Sequence, residues 1–174
     1  MKKVITLLFL LVASQIFART NSYTNGFGIR LGKFNSGISF KHFLVEEVSG
    51  LQLEGHITHM ADGGFTGKAF YFRQIPFKVP IVQLPLDLIY GGGVHLGYFP
   101  KEDYGYYRIE HGDAVYYGEN VFSGGIDGTI QVEYQVSRKI APVTITIDCV
   151  PFFEFYNEGP EHIDFGVSLR YIIR

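Results

Sequence analysis

Polar and apolar residues alternate with a period of two along most of the chain, and no comparable 3.6-residue pattern follows the N-terminal segment. The clearest stretch is Ile126 to Val136. Ile126, Ile130, Val132, Tyr134 and Val136 share one face, while Asp127, Thr129, Gln131, Glu133 and Gln135 share the other. Successive side chains of a strand point to opposite sides, so this stretch has one greasy and one wet face. The same split sets Val143, Ile145, Ile147 and Cys149 against Thr144, Thr146 and Asp148, and it sets Phe165, Val167, Leu169 and Tyr171 against Asp164, Gly166, Ser168 and Arg170. Earlier, Phe27, Ile29 and Leu31 oppose Gly28, Arg30 and Gly32, and Leu51, Leu53 and Ile57 oppose Gln52, Glu54, His56 and Thr58. Three further segments, Ile38 to Leu44, Thr66 to Ile75 and Leu86 to Phe99, bring the predicted strands to eight. The expected fold class is all-β, an eight-stranded antiparallel up-and-down transmembrane β-barrel. An even strand count returns both ends to one side, as single-chain outer-membrane barrels require.

With both ends on the periplasmic side, the connections sort into two sets. Glu46 to Ser49, Pro76 to Pro85 and Ser137 to Ala141 are expected periplasmic turns. Asn35-Ser36, Ala61 to Phe65, Pro100 to Phe122 and Tyr156 to His162 are expected external loops. The third external loop is the longest, and its clusters Tyr104-Gly105-Tyr106-Tyr107 and Tyr116-Tyr117 are expected to line the barrel mouth or to offer a ligand surface. Pro151 lacks a ladder donor, so it is expected at the outer rim or a bulge.

Residues 1–18 read as an export signal: Lys2 and Lys3, an apolar run from Val4 to Val12, and Ile16-Phe17-Ala18 as a cleavage site. The run is roughly nine residues, about half of what a membrane-spanning helix needs. Residues 19–174 are then one barrel domain. Removing the signal takes two lysines and no acids, so Lys plus Arg falls from 15 to 13 against 17 Asp plus Glu and the formal charge moves from −2 to −4. That balance argues against nucleic-acid binding. The one cysteine, Cys149, has no partner within the chain, so a closed hydrogen-bonded sheet rather than an internal disulfide must hold the exported protein together.

Alternation alone does not separate a membrane barrel from a soluble sandwich. The composition of the polar face does. It combines Gly28, Gly32, Gly91, Gly93, Gly97 and Gly166 with Arg30, Glu54, Asp87, Asp127, Glu133, Asp148 and Arg170. Glycine beside charge suits a narrow eight-strand interior, where small residues make room for large ionic ones. Tyr90, Tyr98, Tyr134 and Tyr171 lie near the ends of the apolar face, where interfacial girdles form.

The segments GIDGTIQVEYQV (125–136), IAPVTITIDCVPFFEF (140–155), DFGVSLRYIIR (164–174) and YGGGVHLGYF (90–99) resemble the small eight-stranded outer-membrane β-barrel proteins common in Bacteroidota, which share the shape of OmpA- and OmpW-like barrels. The resemblance implies a monomer in the outer membrane of a Gram-negative bacterium, with membrane lipids and the barrel-assembly machinery as partners. Asp164, Gly166, Leu169 and Tyr171 are similar to the assembly signal of such chains. The usual final aromatic residue is replaced here by Arg174.

Five acids (Glu54, Asp87, Asp127, Glu133 and Asp148) and three bases (Arg30, Lys41 and Arg170) are predicted to point inward. Buried charges must be paired, so Arg30 and Arg170 are expected to bridge carboxylates, plug the lumen and hold the register. The resulting expectation is a structural or loop-presenting barrel. The alternatives are a small-solute channel, a soluble exported lipocalin-like binding barrel and a lipid-modifying enzyme. Barrel enzymes place a His with a Ser and an acid at the outer rim, but no His-x-Ser pair occurs here. His56 and His59 fall on opposite faces, which suits no metal. His95 is expected as a hydrogen-bond partner of the network. Gly91-Gly92-Gly93 lacks the lysine and helix of a phosphate loop. No catalytic residue, metal or cofactor is expected.

Overall fold

The computed structural model describes residues 23–45, 48–58, 64–78, 85–100, 107–111, 113–116, 120–136, 140–155 and 163–173. The expected signal at 1–18 and His59 lie outside them, as do 104–106 and 117 of the loop tyrosine clusters. The strands are Asn25–Gly32 (β1), Asn35–Val45 (β2), Ser49–Thr58 (β3), Gly64–Lys78 (β4), Pro85–Phe99 (β5), Tyr107–Glu110 (β6), Asp113–Tyr116 (β7), Val121–Gln135 (β8), Val143–Glu154 (β9) and Ile163–Ile173 (β10). Eight of them close into an antiparallel barrel in the order β1-β10-β9-β8-β5-β4-β3-β2. Every predicted strand is present, each within the bounds of one barrel strand except that Val136 falls one residue past the end of β8.

The seam is the β1/β10 ladder. Gly28 lies opposite Arg170, Ile29 opposite Leu169 and Gly32 opposite Gly166. Because both strands alternate in phase, Phe27, Ile29, Leu31, Phe165, Val167, Leu169 and Tyr171 all face outward and are exposed, while Arg30, Ser168 and Arg170 are buried inside. The same polarity holds around the ring. Among the described residues, Arg73 is the one lysine, arginine, aspartate or glutamate on the outer face of the barrel strands.

Strands β8 and β9 keep one register on both sides of Pro151, with Asp127 opposite Phe152 and Ile130 opposite Cys149, so no residue is inserted there. The ladder lapses between those pairs, where Pro151 has no N–H to donate. A β-carbon on Gly128 would stand 3.1 Å from Pro151 Cγ, so the bare glycine leaves room for the ring. Pro151 itself is opposite Ile163, the first residue of β10, which puts it at the loop-side rim without a bulge.

Within the longest connection, β6 and β7 form a separate hairpin, with Tyr107 opposite Tyr116 and Glu110 opposite Asp113. His111 takes a positive φ of 55° at its turn. A primed two-residue turn requires that conformation. The expected open loop thus contains a ladder of its own. Arms of four residues are too short for their alternation to stand out.

Gly92 and Gly128 face each other across β5 and β8 on the outer surface, yet they differ in surroundings. A β-carbon on Gly92 would meet only Asp127 O at 3.6 Å, an ordinary contact. Gly92→Ala is expected to leave the unfolding midpoint within about 0.5 kcal/mol of the parent. Gly128→Val, forced against Pro151, is expected to cost roughly 1–3 kcal/mol, read from urea midpoints of the purified barrel.

Candidate functional site

The interior of the barrel is lined by charge. Alternation sends Arg30 inward from β1, Lys41 from β2, Glu54 from β3, Lys68 from β4, Asp87 and His95 from β5, Asp127 and Glu133 from β8, Asp148 from β9, and Asp164 and Arg170 from β10; all are buried. A charge removed from water costs several kcal/mol unless partners replace the lost hydration. The side chains accordingly gather into linked groups.

Nearest the loops, the Arg30 guanidinium forks onto two acids. Its Nη2 stands 2.5 Å from Asp148 Oδ1, its Nε donates to both Asp148 oxygens at 3.1 Å, and its Nη1 donates to Asp164 Oδ2 at 2.9 Å. Nη1 also donates to the Asn35 carbonyl, and Asp164 Oδ1 accepts the Phe34 N–H. Close approach of backbone makes this possible. A β-carbon on Gly166 would lie 2.6 Å from Arg30 Nη2, and one on Gly32 would lie 2.5 Å from Nη1.

At mid-depth, Arg170 donates to Ser39 Oγ and Thr146 Oγ1 at 2.9 Å and to Ser168 Oγ at 3.3 Å. Glu54 and Glu133 stand at 3.8 and 3.7 Å from its terminal nitrogens, one on each side. Ser39 and Gln52 both donate to Glu54 Oε1. Toward the end where β1 begins and β10 ends, Lys41 Nζ donates to Glu133 Oε2 at 2.9 Å and to Gln74 Oε1 at 3.2 Å. Tyr23 OH donates to the other Glu133 oxygen at 2.7 Å.

A fourth group crosses β4, β5, β8 and β9 on the loop side. His95 Nδ1 lies 3.1 Å from both Asp127 oxygens, and Nε2 lies 2.9 Å from Glu154 Oε1. Lys68 Nζ stands 4.0 Å from Asp127 and 5.6 Å from the centre of the Phe152 ring. His56 Nε2 is 3.3 Å from Glu54 Oε2, off the line of a hydrogen bond.

The structure therefore brings Arg30, Glu54, Asp127, Glu133, Asp148 and Arg170 into this set of contacts. Asp87 lies directly across from Glu133 on the inner face. Sequence reasoning placed Asp164 on the polar face and in the assembly signal without counting it among the inward charges, and it left out Lys68 and Tyr23. Strand parity alone marks Asp164 and Lys68 as inward. Nothing in the pattern marks Tyr23, which precedes β1 and enters the lumen from below. Among the described residues, no three or more His, Cys, Asp or Glu side chains are arranged to hold a metal ion.

Together, fold and interior define a closed eight-stranded antiparallel barrel, apolar outside and ionic within. Comparison of the chain with protein-family models, curated proteins and solved structures finds no match.

Replacing Arg30 alone would strand two buried carboxylates. Arg30→Met is expected to cost about 3–5 kcal/mol, measured as a shift in urea unfolding, whereas adding Asp148→Asn to it should recover part of the loss by removing one uncompensated charge.

Proposed function

We propose that the protein is an integral outer-membrane β-barrel of a Gram-negative bacterium whose lumen is filled by its own side chains, serving as a monomeric anchor that presents loops at the cell surface. The observation that carries this reading is the inverted polarity of the closed sheet. A soluble lipocalin-like barrel turns its apolar residues into the lumen, whereas here Ile29, Leu53, Val94, Ile130, Ile147 and Leu169 are exposed and Arg30, Lys41, Glu133 and Arg170 are enclosed. In water that arrangement would forfeit the hydrophobic contribution to folding. In lipid it is the stable one, because a barrel satisfies every backbone group and leaves no edge.

Dimensions agree with this reading. All six outward residues of β10, from Ile163 to Ile173, are apolar or tyrosine. At about 3.3 Å per residue and a tilt of about 40°, that strand gives an apolar band roughly 25 Å tall. Of the polar groups on the outer face, Arg73, His42 and Asn25 sit near the end of the barrel where β1 begins and β10 ends, and Ser36 sits near the opposite end, where headgroups and water would meet them.

A small-solute channel would need accessible side chains along its bore. Instead Ser39, Lys41, Glu133, Thr144, Thr146 and Arg170, contributed by four strands, have no accessible surface (0%). That supports a plugged lumen and a structural part for the charges. The partners that follow are outer-membrane lipids and the assembly machinery that inserts such barrels.

Val132 faces outward and Thr129 inward on the same strand. Val132→Arg is expected to cost roughly 2–4 kcal/mol of stability in bilayers if it meets the hydrocarbon midplane. Thr129→Arg should instead be limited by interior crowding. Equal and negligible effects on detergent-extracted, heat-modifiable protein would refute the assignment of faces. Planar bilayers containing the parent protein should show no steady conductance.

A further inference from the structure

The end of the lumen at which β1 begins and β10 ends is closed by a residue that belongs to no strand. Tyr23 precedes β1, yet its side chain is buried inside the barrel against Phe43, Phe72, Ile89 and Ile172. Its ring meets Phe43 edge-on at 5.1 Å, and Phe43 meets Phe72 in the same way at 5.2 Å. The Lys41 ammonium lies over all three rings, 5.5 Å from the centre of Tyr23 and 4.9 Å from those of Phe43 and Phe72. The phenol reaches across the bore to Glu133 on β8. Gly26 supplies the slot, since a β-carbon there would stand 3.3 Å from Tyr23 Cε2.

We infer that Tyr23 is a latch. It docks in a preformed box whose floor is apolar and whose wall is the Lys41–Glu133 pair, and it seals the interior from the end at which β1 begins. Three independent fits specify the phenol. The rings and Gly26 match its shape, Glu133 accepts its hydroxyl, and Lys41 meets its π-face. Because Tyr23 lies ahead of β1, where the backbone is tied to the barrel by the Phe43 N–H donating to the Thr24 carbonyl at 2.9 Å, its side chain can swing out while the ladders of the barrel stay intact. Withdrawal would expose the Lys41–Glu133 pair to water from that end. This inference rests on the lumen contacts alone and holds whether or not a membrane surrounds the barrel.

Thr144 is the reporter. It is fully buried beside Tyr23. In purified, folded Cys149→Ser protein, the thiol of Thr144→Cys is expected to resist a small charged methanethiosulfonate reagent. Adding Tyr23→Ala should raise its labelling rate by about tenfold or more, with heat-modifiable migration verifying the fold. Saturating 4-methylphenol should then restore protection by refilling the box. Tyr23→Phe keeps the ring and loses the tie to Glu133, so it should label several-fold faster than the parent, and it decides the matter should Tyr23→Ala not fold. Rapid labelling with Tyr23 in place, or unchanged labelling in the variants that fold, would overturn the latch.

Discussion

Eight strands closed on themselves enclose only enough space for side chains, so every charge sent inward must find its counter-charge within that space. The constraint is one of volume as much as of charge. Arg30 can reach Asp148 and Asp164 because Gly32 and Gly166 have no side chains to block its guanidinium. His95 lies 2.6 Å from where a β-carbon of Gly125 would stand, and Tyr23 fills the gap left by Gly26. Inward glycines are thus the complement of the large polar groups. The sheet closes around a packed ionic core rather than around a void.

Much of this was legible in the sequence because period-two alternation is strong wherever two solvents differ sharply across a sheet. Eight strands, their faces and most of the inward charges follow from counting odd and even positions. What parity cannot supply is the partner. Arg170 was expected to bridge carboxylates, but in the structure its shortest contacts are the hydroxyls of Ser39, Thr146 and Ser168, with Glu54 and Glu133 farther off. Asp164 became the second acid of Arg30 through closure of β1 on β10, a pairing between the two ends of the chain that no local pattern encodes. Tyr23 was invisible for a different reason. It lies on no alternating run, and its burial depends on a box built from β2, β4, β5, β8 and β10.

The two ends of the lumen are sealed differently. At the terminal end the plug is aromatic and aliphatic, with one ammonium under three rings. Toward the loops, charged groups continue up to Glu154, and Phe34, Phe99 and Phe152 intrude among them. An apolar seal excludes water without needing hydrogen-bond partners, whereas an ionic one depends on each partner staying in place. The terminal end is therefore the one that a single residue can open. The loop end is tied through the strands themselves.

Alternation settles which face a residue takes and nothing finer. Sliding β10 by two residues against β1 would leave Phe165, Val167 and Leu169 outward and every glycine and charge of these two strands inward, so the apolar exterior is indifferent to the slip. The interior is not. Two residues correspond to about 7 Å along a strand, far beyond the 2.9 Å that joins Arg30 to Asp164. Arg30 would lose one acid, and Arg170 would leave Ser39 on β2 and Thr146 on β9, each an oxygen fixed by a neighbouring ladder. Among registers that the greasy face accepts equally, the buried guanidinium groups admit one. On this view the charges inside the barrel contribute less to holding it together than to deciding which barrel forms.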